Sequence, residues 1–225
     1  ALTGIARLSE KVANMTSTIG LWPGSAASVV AAKSEFRRLP VGMVIAFSLI
    51  SLTGGGIGAW LLLATSVATF RLVIPWLLAF ATVVFAFSKP IARWAGRQHG
   101  HRTAGWTLVV ATIQLFVAIY GGYFGAGIGV LMLAGLSFAG LDDIHQMNAM
   151  KVLLATLING VAAIVFLFYT IDWRIAGAMA AASIVGGFLG MRGGRRLHPN
   201  QLRLLILAVG VALTAYYFYN AYAKH

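Results

Sequence analysis

Asn148, Lys151 and Asn159 fall at i, i+3 and i+11 of the apolar run Gln146 to Thr170, so a helix there carries all three on one face. Two amides and a lysine supply N–H donors and one positive charge, and no acidic side chain joins them. That is the chemistry that holds a small anion. The first half of the chain carries a related stripe, Asn14, Ser17 and Ser25, with Thr18 and Ser28 close to it. Facing each other, the two stripes would form two walls of one hydrated pocket, and polar groups inside spans tend to be functional because hydrocarbon penalises them. Two plainer readings stay open. Lys151 lies only about two turns into its helix, so its amine can snorkel to the interface beside Asp142 or Asp143; Asn14 and Asn148 can serve as hydrogen-bonding glue between helices.

The second feature is the stretch Tyr120 to Leu136, apolar apart from two tyrosine hydroxyls yet carrying Gly121, Gly122, Gly125, Gly127, Gly129 and Gly135. A glycine inside a helix costs about 1 kcal/mol relative to alanine, so this density needs a use. One use is close helix packing through the small face Gly121, Gly125, Gly129. The other is a broken or re-entrant segment whose freed backbone groups line a polar cavity, with amides near Gly125, Gly127 and Gly129 acting as fixed dipoles toward an anion.

The elements that position these residues are set by composition. With 225 residues, 60% hydrophobic and 10% charged, and a mean hydropathy of +0.85, the chain is too apolar for a soluble domain of its length. Long unbroken apolar runs, rather than alternating strands of about ten residues, make it an all-α polytopic transmembrane bundle and not a barrel. Lys and Arg outnumber Asp and Glu 17 to 5, a net charge of +12. In a polytopic protein this excess is a topology signal, so no nucleic-acid partner is expected. The absence of cysteine excludes disulfides, thiol catalysis and cysteine-ligated metals.

The expected spans are 14 to 32, interrupted at Trp22, Pro23 and Gly24; 40 to 63; 72 to 88, after a link containing Arg71; 104 to 119, followed by the glycine segment; 146 to 170; 173 to 191; and 204 to 222. That is about six full crossings plus the glycine segment. Basic loops lie at Lys33 to Arg38, at Lys89 to Arg102 and at Arg192 to Arg203. Placing all three in the cytoplasm requires residues 104 to 141 to go out and come back, so that two repeats, 1–103 and 104–225, form one membrane domain with inverted halves. Asn14 then corresponds to Asn148, and Gly54-Gly55-Gly56-Ile57-Gly58 to Gly186-Gly187-Phe188-Leu189-Gly190, at a nearly constant offset. The first repeat lacks a counterpart of 104 to 136, and an opening span with its own glycine segment, ~30 residues, is expected ahead of it. The first residues do not read as a signal peptide.

Other motifs carry little. His99-Gly100-His101 sits in a basic loop without a carboxylate or thiol near it, so no metal is expected; His145 beside Asp142 and Asp143 is a loop end that could at most relay protons. Gly125 to Gly129 is no nucleotide loop, since Lys-Ser or Lys-Thr does not follow. There is no G-x-S-x-G, no H-E-x-x-H and no intramembrane carboxylate pair, so neither an enzyme nor a cofactor is expected. Trp60, Trp76, Trp94, Trp106 and Trp173, with Tyr216, Tyr217, Tyr219 and Tyr222, read as interfacial anchors.

The run G-G-Y-F-G-A-G-I-G-V-L-M at 121–132, followed by M-N-A-M-K-V-L-L-A-T-L-I-N at 147–159, resembles the second half of the sulfite exporter TauE/SafE family of bacterial inner-membrane permeases. V-A-N-M-T-S-T-I-G-L-W-P-G at 12–24 and the two G-G-x-x-G runs are similar to other parts of it. The resemblance implies a two-repeat helical carrier of small anions, often sulfur-containing: sulfite, thiosulfate or an organosulfonate. On that reading the partners are the anionic solute and the lipid bilayer, with a homodimer left open. A membrane scaffold or a small-anion channel is the competing class.

Overall fold

The structure, a computed structural model, describes residues 8–36, 39–88, 90, 104–141, 143–194 and 199–223. Among them there is no strand. The helices are α1 (Glu10–Ala31), α2 (Val41–Ala64), α3 (Val67–Ala86), α4 (Ala104–Tyr123), α5 (Ile128–Phe138), α6 (Ile144–Phe166), α7 (Trp173–Gly194) and α8 (Pro199–Phe218). One helical turn, Lys33–Phe36, follows α1, and a π-helical turn, Tyr219–Ala223, extends α8. Among the described residues, five helical stretches are long and apolar enough to cross a membrane: Val41–Ala64, Val67–Ala86, Gly105–Tyr123, Ile144–Phe166 and Arg203–Tyr222. The apolar part of α7, Trp173–Gly186, is shorter than that, and so is α5.

Three boundaries differ from the sequence expectation. α1 runs unbroken through Pro23: in an apolar surrounding one missing N–H costs less than the several unsatisfied groups a full break would create. Arg71 lies inside α3 rather than in a link, because Ser66 already starts that helix, its hydroxyl accepting from the Thr69 N–H at 3.1 Å. α4 continues through Gly121 and Gly122 to Tyr123, so the chain breaks later in the glycine stretch than its first two glycines.

The tightest crossing pairs α2 with α4. Gly54 and Gly58 are buried in it, while the buried Gly55 turns toward Ile158 and Val161 of α6. A Cβ on Gly54 would lie 2.6 Å from the Ala118 Cβ, one on Gly58 would run into the backbone of Ile119 and Gly122, and one on Gly122 into the carbonyl of Gly55. Small residues four apart bring the backbones together here. The small face of α4 is thus Ala118 and Gly122, not the expected Gly121, Gly125 and Gly129, because the helix ends before Gly125 and the phase is lost. Gly121 instead packs under Ile128 and Ile158. Between the same two helices the buried Gln114 donates to the Ser51 hydroxyl at 2.8 Å.

Two apolar clusters fill the interior. One gathers Phe47, Val117, Met132, Leu136, Met150 and Leu154 between α2, α4, α5 and α6; the other gathers Met15, Leu62, Phe70, Ile74 and Phe166. The outer surface carries Val30, Val41, Phe116 and Phe168, all well exposed, as a lipid-facing surface should be. Trp60, Trp76 and Trp173 are exposed too, in keeping with anchors. The Trp76 indole donates to the Tyr222 hydroxyl at 3.0 Å, and that hydroxyl donates to the Leu72 carbonyl, tying the end of α8 to α3. Trp106 bonds the Phe138 carbonyl at 3.0 Å. Trp94, His99 and His101 lie outside the described residues.

Candidate functional site

The site is built on the break between α4 and α5. Gly125 and Gly127 take φ of +77° and +75°, the left-handed region where a side chain is strained. Gly127 is the residue ahead of the first turn of α5, which has no side-chain cap. The Ile128 and Val130 N–H groups bond back to the Gly125 and Gly127 carbonyls at 3.4 and 3.0 Å, so what α5 presents at the break is the positive end of its dipole. The Tyr120 hydroxyl donates to the Ala126 carbonyl at 2.8 Å and lies 3.3 Å from the Leu77 carbonyl of α3, which fixes the shape of the turn.

Polar side chains reach this break from two helices. From α1, the Asn14 amide donates to the Tyr123 carbonyl at 3.2 Å, one of the carbonyls left over where α4 ends. From α6, the Asn159 Oδ1 lies 3.9 Å from where a Cβ of Gly125 would be, and the Lys151 stem crosses Gly129, its Cδ 3.5 Å from the corresponding position. Lys151 and Asn159 are half-buried, whereas Asn148 is exposed.

A cavity of about 270 Å³ opens beside the break. Its polar wall is Glu10, Asn14 and Ser17, on one face of α1; Phe70 of α3, Phe124 of the break and Tyr217 of α8 close it. Ser17 and Thr18 both donate to the Asn14 carbonyl, at 2.9 and 3.0 Å, so Ser17 keeps acceptor capacity toward the cavity. Of the expected site residues, Asn14 and Ser17 line this cavity. Lys151, Asn159, Gly125, Gly127 and Gly129 gather around the break from its α6 side, and α6 contributes nothing to the cavity lining. Ser25 is half-buried and donates to the Leu21 carbonyl at 3.5 Å, two turns further along α1. The two stripes thus approach one break from two sides, with only the α1 stripe lining the hollow.

Sequence reasoning missed several participants. Glu10 lines the cavity and is held by Arg71 through two contacts, Nε to Oε1 at 2.9 Å and Nη2 to Oε2 at 3.3 Å. Only five acidic residues occur in the chain, and that scarcity was the available signal. Lys11 donates to the Leu63 and Thr65 carbonyls at 2.8 and 2.9 Å, a cation on the C-terminal end of α2. The Trp22 indole donates to the Thr156 carbonyl at 3.0 Å, and its ring covers Gly160, so the expected interruption is a docking point between α1 and α6. Among the described residues no group of His, Cys, Asp or Glu could hold a metal.

The sequence profile of the family described as "Sulfite exporter TauE/SafE" matches residues 1–217. A curated relative, a "Probable membrane transporter protein" of Haemophilus influenzae (strain ATCC 51907 / DSM 11121 / KW20 / Rd), is 24% identical over 168 residues, covering 74% of this chain and 64% of that protein. The chain therefore spans somewhat less than two thirds of that relative's length. No solved structure matches it. Five helices fit to cross a bilayer and a match over nearly all of the chain lead to one conclusion: this is a multi-pass membrane protein, of a kind typical of the bacterial inner membrane, and it belongs to the TauE/SafE family of membrane transporters.

Proposed function

We propose that the chain works as a secondary permease for a small anion, with sulfite, thiosulfate or an organosulfonate as the leading candidates. In this reading α5 is re-entrant and Asn14, Ser17, Ser25, Asn148, Lys151 and Asn159 serve the solute along its path. The observation that carries it is the uncapped start of α5 at Gly127, flanked by Asn14 from α1 and by Asn159 and Lys151 from α6. The positive end of the α5 dipole, side-chain amides and one cation, with no carboxylate within α6 itself, favour negative charge.

Reciprocal packing supports two inverted repeats. α2 of the first half lies on α6 of the second, α7 of the second lies on α1 of the first, α1 meets α6, and α3 meets α8. Such an exchange of partners is what a two-fold relation between the halves produces, and the basic loops favour an axis in the membrane plane over one along its normal. Single cysteines placed among residues 195–198 and in the turn at 65–66 would test it: inversion predicts labelling from opposite sides of the membrane, and labelling from the same side overturns it.

The function is tested by a thermal-shift screen of purified protein against sulfite, thiosulfate, an alkyl sulfonate, sulfate and acetate, followed by flux of the stabilising anion into proteoliposomes. A ligand selective for the native state raises its stability by mass action. Stabilisation by one anion class together with saturable flux is expected. No stabilisation and no flux would instead favour a scaffold, the reading in which the bond from Asn14 to Tyr123 serves only to join helices.

A further inference from the structure

Glu10 and Arg71 stand apart from the residues assigned above. The Glu10 side chain lines the cavity beside Asn14 and Ser17 and is only 16% exposed, whereas Arg71, a half-exposed cation of α3, holds it from the outside. The two side chains form an ion pair, Nε to Oε1 at 2.9 Å. The guanidinium meets the carboxylate through Nε and Nη2, two N–H groups on two oxygens, and this fork is the geometry by which arginine receives any planar or pyramidal oxyanion. The arginine paired with the cavity's one lining carboxylate is thus already occupied by an internal oxyanion. Lys11, the neighbouring cation, is engaged with the Leu63 and Thr65 carbonyls, so it neither relieves Arg71 nor competes with it.

We infer that the Glu10–Arg71 pair is an exchangeable oxyanion lock at the cavity mouth: Glu10 occupies the arginine that an incoming carboxylate, sulfite or sulfonate group takes up, and releases it only to such a ligand. The inference rests on the reading of the chain as an anion permease, and it adds Arg71 as the first receptor and Glu10 as its resident competitor. It explains why a wall offering amide and hydroxyl groups to anions also includes a carboxylate. With its partner in place the carboxylate is neutralised; without it the mouth repels anions.

The test needs no transport. In a chain without cysteine, Ser17→Cys puts one thiol inside the cavity, and its rate of modification by an anionic sulfonate-bearing thiosulfonate reagent is compared with that by a cationic trimethylammonium analogue. In the Glu10→Gln background the anionic reagent is expected to gain about tenfold over the cationic one, as for a site whose field has changed sign. Adding Arg71→Gln to Glu10→Gln should erase that gain, and adding Arg71→Lys should keep part of it, which separates loss of charge from loss of fold. Sulfate should slow the anionic reagent in Glu10→Gln more than in the parent. Equal acceleration of both reagents would make Glu10 a mere plug and overturn the lock; so would no change at all. The two readings fail separately: normal labelling responses without anion flux would sink the permease and leave an anion-selective mouth, whereas flux without any charge response would sink the lock alone.

Discussion

Asn14 and Tyr123, 109 residues apart, are joined by a hydrogen bond of 3.2 Å from the asparagine amide to the tyrosine carbonyl. The acceptor belongs to the last residue of α4 and the donor to a wall of the cavity. One side chain therefore both satisfies the end of a broken helix and shapes the space beside it.

Removing that amide should be felt twice. Asn14→Ala is expected to lower stability in detergent by about 0.6 to 1.7 kcal/mol, the range for interhelical hydrogen bonds in membranes, and to impair anion flux. Asn148→Ala, at an exposed position of α6 that the two-repeat reading pairs with Asn14, should leave stability within about 0.5 kcal/mol of the parent. Chemical or thermal unfolding of both variants, followed by flux in proteoliposomes, checks this pair. Equal stability loss in the two would contradict the packing difference between them.

The left-handed turn makes a second prediction. Gly125→Ala and Gly127→Ala each place a Cβ on a backbone with φ near +75°, at a cost of about 1 to 2 kcal/mol. Gly127→Ala should be the worse of the two, since its Cβ would come 3.0 Å from the Ala81 Cβ of α3, whereas that of Gly125 comes no nearer than 3.3 Å, to the Gly121 carbonyl. Melting temperatures in a fixed detergent give the order directly.

The crossing of α2 and α4 makes a third. Gly58→Ala drives a Cβ into the backbone of Ile119 and Gly122, which cannot rotate away, so a loss of about 3 kcal/mol or failure to fold is expected, at the upper end of overpacking costs. Gly177→Ala, also helical but with nothing within 4 Å of the new atom, should be neutral or gain up to about 1 kcal/mol from helix propensity. Yields and melting points of the two variants side by side decide it; a tolerated Gly58→Ala would refute the close approach.

What the sequence disclosed follows from what local chemistry can carry. The helices were legible because hydrocarbon forces apolar runs into them, with ends found to within a few residues at Pro40 and Trp173, but five of the described helices, not about six, are long and apolar enough to cross, and the expected spans at 14–32 and 173–191 are not among them. Asn14 and Ser17 were legible as a polar stripe, since period and spacing are local. The position of the break was not: six glycines in Tyr120 to Leu136 look alike in sequence, and only long-range packing, of Gly121 under Ile158 and of Gly122 against Gly55 and Gly58, sets the helical pair apart from Gly125 and Gly127, which turn. Nor was the role of Glu10 legible, because its partner Arg71 is 61 residues away on another helix. Long-range pairs of that kind leave no periodic trace.

Lys151 is the sharpest remaining discriminator between a solute site and a packing device. Its stem lies over Gly129 in the first turn of α5, on the same side of the break as Asn159. A lysine that only snorkels contributes through its methylenes, so Lys151→Met keeps what it provides. A lysine that holds an anion contributes charge, which Lys151→Met removes and Lys151→Arg retains. The site reading predicts that Lys151→Met folds with a melting temperature close to the parent, loses the thermal stabilisation by the transported anion, and drops flux by about tenfold or more, equivalent to about 1.4 kcal/mol of lost anion interaction. Lys151→Arg should recover part of both. If Lys151→Met transports at the parent's rate, the amine is a membrane-interface group, and the anion must be held by the α1 wall and the start of α5 alone.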